Sequence, residues 1–275
     1  MKNIIWSAAI WGALSCQSFA GVVIEMVSKD LNSNQETSTD KIYAEGNMVR
    51  IESDQEGTTD RTTTIFRDET LFIVNHQDQT YHRMDKDSMN RMSSQMSEAM
   101  KQMEAQLANV PPEQRAMMER MMKGRMPGGM PGAMGSDRPQ RRIEVGGDEQ
   151  VGEYSCTMYT VYRGTEKTHE VCAAPVSQVA AAEEAMDAFQ AMARFSKQFA
   201  ESVQQSPLAA PLDNPLQFLD EIHGFPVLVR EFVGGHASSE VFLKSATRQS
   251  LSNELFSVPD GYKEVDPFAQ MGGRR

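Results

Sequence analysis

The chain is poor in the residues that most enzymes use for chemistry. Histidines number five and cysteines three among 275 residues, and His76, His82, His169, His223 and His236 are scattered along the chain. There is no Gly-x-Ser-x-Gly elbow, Walker loop, Gly-x-Gly-x-x-Gly turn or His-Glu-x-x-His pair. The usual signatures of an elbow-borne nucleophile, a phosphate cradle or a helical zinc site are therefore missing. His76 and His82 flank one predicted turn but lack a third ligand in sequence, so surface histidines of a hairpin are the plainer reading. Carboxylates are numerous but spread out, and no acid/base pair stands out. Basic charge is also scarce: 27 Lys and Arg face 38 Asp and Glu, a net charge of −11, which argues against general nucleic-acid binding. No catalytic residue, cofactor or resident metal is expected.

Apolar runs are short everywhere except at the start. Lys2 gives a positive n-region, and Ile4 to Leu14 forms an apolar stretch shorter than the roughly 20 residues a membrane helix needs. Ser18-Phe19-Ala20 then places small residues where a signal peptidase reads. Residues 1–20 are therefore expected to be a cleaved signal peptide, leaving a mature chain that begins at Gly21 and works in the periplasm. The rival lipoprotein site Ala13-Leu14-Ser15-Cys16 has alanine where its first position wants a larger residue, which disfavours lipid anchoring at Cys16. Cleavage removes Lys2 and takes the net charge to −12. It also leaves two cysteines, Cys156 and Cys172, and an isolated pair in an oxidising compartment is expected to bridge. Their midpoint is Gly164, so the spacing predicts a hairpin about Gly164 with the cysteines directly opposite each other.

Short β-branched and aromatic runs separated by polar turns fill residues 21–85. They include Val22–Met26, Ile42–Ile51, Thr62–Phe66, Leu71–Val74 and Gln79–Met84, with Asn32–Thr39, Asp54–Asp60 and His76–Gln79 between them. This predicts an antiparallel meander. At Asp85 the period changes. Met89, Met92, Met96, Met100, Met103 and Leu107 recur at steps of three and four, which predicts an amphipathic helix over 85–107. Pro111 and Pro112 open a second predicted helix carrying Met117, Met118, Met121 and Met122, followed by a Gly/Pro-rich loop from Met126 to Gly135. Strand returns at Arg142–Val145 and in the cysteine hairpin. Pro175 and Ser177 then open a predicted helix to about Gln204, striped by Val179, Ala182, Met186, Phe189, Met192, Phe195, Phe199 and Val203. After a Pro-rich linker at 206–215, Phe225–Phe232, Ala237–Ala246 and Phe256–Tyr262 read as closing strands and a terminal turn. The expected fold class is α+β: a strongly curved antiparallel sheet with amphipathic helices on its concave face.

Methionine is the compositional excess, with twelve of twenty between Met89 and Met134. Thioether sulfur suits Cu(I), which makes Met117, Met118, Met121 and Met122 the candidate ligands of a copper-binding alternative. Methionine at helical spacing more often packs or makes adaptable apolar contacts. Residues 111–142 also carry seven basic residues against three acids, a local charge that suits peripheral contact with anionic lipid.

Several segments together resemble the periplasmic lipoprotein-carrier (LolA/LolB-like) superfamily, and most closely an uncharacterised bacterial branch of it, a domain of unknown function. These are Gly46-Asn47-Met48-Val49-Arg50-Ile51-Glu52, the Thr-rich strand into Phe66-Arg67-Asp68, Leu71–Met84 and Pro112-Glu113-Gln114-Arg115. Further matches are Val151-Gly152-Glu153-Tyr154-Ser155-Cys156, His223-Gly224-Phe225-Pro226-Val227 and Leu255–Tyr262. The resemblance covers most of residues 21–266 and implies a half-open β-barrel whose helices close its concave side around an apolar, acyl-chain-binding cavity. It implies no catalytic residue. The expected organisation is a signal peptide at 1–20, one domain over 21–268 with a methionine-rich insert at 85–140, and a disordered tail at 269–275. The expected function is non-enzymatic binding of a lipid or lipoprotein acyl chain, or of an envelope protein. Met92, Met96, Met100 and Met103 of the lid-like first helix should face the cavity together with Ile51, Phe66 and Phe72. A structural or interaction protein with a filled cavity is the remaining alternative.

The copper alternative has its own test. Titration of Cu(I) against a competing chelator is expected to find no site tighter than that of a generic methionine peptide. A tight site that disappears when Met117, Met118, Met121 and Met122 become leucine reverses the ranking.

Overall fold

Alternating apolar and polar residues build strand after strand along this chain, and all the strands among the described residues join one sheet. The structure is a computed structural model that describes residues 21–55, 61–108, 140–204 and 221–266. The first meander is β1 (Gly21–Asp30), β2 (Gln35–Glu45), β3 (Met48–Gln55), β4 (Thr62–Arg67), β5 (Thr70–Asn75) and β6 (Thr80–Met84). Helix α1 (Lys86–Ala108) follows. The second series is β7 (Arg141–Val151), β8 (Tyr154–Arg163) and β9 (Glu166–Ala174), then helix α2 (Ala182–Gln204), β10 (Phe225–Val233), β11 (His236–Gln249) and the two-residue β12 (Lys263–Glu264).

The twelve strands lie in the order β12-β6-β5-β4-β3-β2-β1-β11-β10-β9-β8-β7, so the sheet is open, with β12 and β7 at its ends. Pairing is antiparallel except between β12 and β6, which run parallel. Strand β1 pairs with β2 on one side and with β11 on the other, joining the two series. Strands β6 and β7 are ten positions apart in this order, roughly 48 Å along a flat sheet. The methionine-rich stretch connects these two strands, and α1 at its start is about 35 Å long.

Turn chemistry sets the register. Asp30 Oδ1 accepts the Ser33 N–H at 2.7 Å and Asn34 takes φ 58°, which tightens the β1–β2 turn to Leu31–Asn34. The predicted connection Asn32–Thr39 is accordingly shorter, and Gln35 to Thr39 belong to β2. Asp68 and Glu69 both adopt positive φ, making a two-residue β4–β5 hairpin without a glycine. Gly224 has φ +125°, and a Cβ there would lie 2.4 Å from the Ala174 carbonyl oxygen, so only glycine lets the chain enter β10 beside β9. Helix α2 starts later than Ser177. Val176–Gln178 form a short 3-10 turn, and Ala181 at φ 58° breaks the path before Ala182.

Cys156 and Cys172 form a disulfide with Cα atoms 5.4 Å apart. They are not directly opposite. Cys172 faces Met158 across the β8–β9 pair, because an irregularity between Val161 and Tyr162 shifts the register from that of the Gly164–Thr165 turn. The bond is therefore diagonal, on the face shared by Cys156 and Met158. The predicted helix at 111–124, the loop at 126–135, the linker at 206–215 and residues 1–20 lie outside the described residues.

Both sheet faces are covered in the β2–β6 region. On one, Phe66 meets Phe195 of α2 with ring centres 5.5 Å apart. On the other, Phe256 is fully buried with Ile65 and Val74, as the segment from Leu251 to Tyr262 folds back over the strands. Arg50 donates to the Leu255 carbonyl at 2.9 Å, and Arg67 donates to Ser257 Oγ at 2.9 Å. His82 Nδ1 donates to the Val265 carbonyl at 2.9 Å, and Tyr81 donates to Glu264 at 3.2 Å.

The bridge closes a loop of 16 residues, and its loss is expected to cost about 3 kcal/mol. Denaturant titration of the Cys156→Ser, Cys172→Ser double variant should show this as a lower midpoint. A midpoint equal to the parent's would mean that the hairpin is held without it.

Candidate functional site

The face beneath α2 is assembled from both strand series. Val22, Ile24, Ala44, Val49 and Phe66 come from β1 to β4, and Cys156, Met158, Cys172, Phe225, Val227 and Leu243 come from β8 to β11. Helix α2 meets them with Ala182, Ala185 and Ala188, whose small side chains let its axis approach, and then with Phe189, Met192 and Phe195. Phe189 lies 6.3 Å from the ring of Phe225. Helix α2 is seated on β1, β2 and β3, whereas α1 packs on β6 and on α2. Beside this cluster, Ile42, Ile51 and Leu71 on the same face are only partly buried.

Helix α1 is anchored at its first turn. Asp85 caps it, accepting the Ser88 N–H at 2.8 Å and the Ser88 hydroxyl at 2.7 Å, and Arg83 pairs with the same carboxylate at 2.7 Å. The Ser88 hydroxyl and then the Ser88 N–H hold the Asp85 carboxyl below its ordinary value of 3.8. Met89, one residue on, is buried in the core cluster.

The sequence-derived ligand set is only partly brought together. Ile51 and Phe66 share the helix-covered face, since the register sets Val49 opposite Phe66 and Ile51 opposite Thr64. Phe66 is buried against Phe195 rather than lining open space. Phe72 does not join them. It faces Ile65 across the β4–β5 hairpin and lies 6.1 Å from Tyr81 on the opposite face, under the carboxy-terminal segment. Met92, Met96, Met100 and Met103 occupy positions on α1, but their side chains lie outside the described residues. So do the copper candidates Met117, Met118, Met121 and Met122, and most of the basic segment 111–142.

The histidines sit differently from the surface reading. His76 is half-buried, with Nε2 2.8 Å from Thr63 Oγ1 and Nδ1 2.9 Å from the Tyr262 hydroxyl, and burial pushes its pKa down. His169 is buried, and burial lowers its pKa also. His76 and His82 each bond to the carboxy-terminal segment instead of meeting each other.

One pocket escaped the sequence reading. A cavity of about 470 Å³ lies between the β7–β8 turn (Glu153, Tyr154), the approach to α2 (Gln178, Ala180) and β11 (Lys244, Ser245, Ala246). Burial, followed by a hydrogen bond with Glu153, raises the Tyr154 hydroxyl pKa. The three segments are far apart in the chain, so no local motif marks it. Its carboxylate, ammonium and hydroxyl groups suit polar contact, with no nucleophile–base pair among its lining residues.

A family profile described as a domain of unknown function (DUF4412) matches residues 82–262. Among solved structures, an uncharacterized conserved protein from Thermus thermophilus is similar with a TM-score of 0.46 and 7% identity, covering 90% of this chain and 91% of its own. PNGF-II gives a TM-score of 0.40 at 7% identity, over 92% of this chain and 32% of that one. The LolA superfamily protein NE2245 from Nitrosomonas europaea gives 0.29 at 6% identity, over 88% of this chain and 91% of its own.

Replacing Asp85 with alanine is expected to weaken the attachment of α1 by about 1 kcal/mol. Hydrogen exchange should speed up in the first turns of α1 while β1 and β11 keep their protection. Because the Asp85 carboxyl is held below its ordinary value, the stabilisation is complete above pH 3.8 and lost as pH falls through the lower folded value. Unchanged exchange in Asp85→Ala would show that α1 is held elsewhere.

Proposed function

This chain belongs to the DUF4412 family, and we propose that it is a non-enzymatic periplasmic protein that takes an apolar ligand on the helix-covered face of its sheet. The chemical class is an unbranched acyl chain, alone or on a lipoprotein. The observation that carries this reading is the unequal seating of the two helices. Helix α2 is fixed on β1, β2 and β3, whereas α1 packs on β6 and α2 and is tied at its capped first turn. On the same face, Ile42, Ile51 and Leu71 are only partly buried. A methionine-striped helix repacks at little cost, so α1 acts as a cover that swings about Asp85 and admits an acyl chain between itself and β3 to β5. Export is supported by the signal-like residues 1–20 and by the disulfide, which persists in an oxidising compartment. The sequence resemblance to lipoprotein carriers points to the same ligand class.

The contact of Phe66 with Phe195 favours a second reading, in which α2 already fills the face and the protein serves as an interaction module. A fluorescent fatty acid separates the two. The Met96→Glu, Met100→Glu variant is expected to lose probe binding at least tenfold while unfolding as cooperatively as the parent. Equal binding by the variant removes α1 from the site and leaves the filled-face reading.

A further inference from the structure

The eleven-residue β7 is the outermost strand at one end of the sheet, and nearly all of it is exposed. The other end closes with the two-residue β12. A long edge strand offers backbone donors and acceptors to another strand. On β7 the two basic residues, Arg141 and Arg142, stand at its start and are followed by Glu144. Asp148 and Glu149 stand towards its end, and Val145 between the two halves is 69% exposed.

We propose that β7 pairs antiparallel with β7 of a second copy about a twofold axis at Val145, placing Arg142 of each chain opposite Glu149 of the other. The bulge in β7 makes this register work. Arg142 and Glu149 are an odd number of residues apart, so a regular strand would point them to opposite faces. The register shift between Val145 and Asp148, at Gly146–Gly147, restores them to one face. Their β8 partners show this, since Arg142 faces Tyr162 and Glu149 faces Cys156, an even number of residues apart on a continuous strand. With the bulge counted as one site, Val145 meets Val145, Arg142 meets Glu149, and Arg141 lies diagonal to Asp148. The existing neighbours are compatible. Arg142 lies 4.4 Å over the Tyr162 ring and pairs with Glu144, Arg141 pairs with Glu221, and Asp148 accepts from Thr157 at 2.9 Å. These are exposed contacts that an opposing carboxylate can share.

Light scattering during size exclusion tests this across a concentration series of the full exported protein. The parent is expected to reach twice the mass of one chain. The variant Arg141→Glu, Arg142→Glu has an all-acidic edge, and Asp148→Arg, Glu149→Arg has four arginines with Glu144 as its one acid, so each alone is expected to show half the parent's mass with an unchanged circular dichroism spectrum. Mixing the two variants should restore the doubled mass, because each edge then meets its complement. A parent that stays monomeric throughout overturns the proposal, including when its β7 amides are protected from exchange by its own chain. So does a pair of variants that remain dimeric singly, or a mixture that stays monomeric.

Discussion

The pairing of β1 with β11 is what makes the two strand series one sheet. Val22 to Ile24 sit at the centre of that sheet, bonded to Ala44–Ile42 on one side and to Arg248–Ala246 on the other. Val22 and Ile24 are fully buried beneath α2. If that ladder opens, the first meander and the β7–β11 series stay linked, among the described residues, through the helices and the strap that follows β11, and the face on which α2 rests is cut in two. The diagonal disulfide strengthens one side of this join, fixing β8 to β9 within the cluster that α2 covers.

The two faces of the first meander are held in different ways. Beneath α2 the contacts are apolar, with alanines for close approach and phenylalanines for bulk. On the reverse, polar clasps position an apolar strap: Arg50 and Arg67 take backbone and hydroxyl oxygens of the strap, while Phe256 fills the space over Ile65 and Val74. Hydrogen bonds to main-chain carbonyls fix the strap's register, and the buried ring provides most of its hydrophobic gain. His76 joins this side, bonded to Thr63 and Tyr262, where burial pushes its pKa down.

Element type was legible in the sequence because the period of apolar residues was clear, and the disulfide because only one pairing remained. Register was less legible. The β4–β5 turn uses Asp68 and Glu69 at positive φ, with no glycine or asparagine to announce a two-residue hairpin. Without that turn, Phe72 could be grouped with Phe66, whereas the hairpin sets Phe72 against Ile65 and Phe66 against Leu71. The start of α2 was misplaced for a related reason, since Ala181 carries no sign of its left-handed conformation. The pocket at Tyr154 and Lys244 depends on strand order, which brings together three segments that no local pattern connects.

The position of β1 also fixes the order in which the native state can be completed. One edge of β1 is satisfied early by the hairpin to β2, but the other waits for residues near Arg248. A chain emerging from its amino terminus therefore holds an unpaired, highly apolar edge until almost all of it is available. Contacts of such long separation slow the search for the native fold and leave the edge open to wrong partners meanwhile. Loss of β11 by carboxy-terminal truncation would uncover the strand at the middle of the sheet rather than trim its rim.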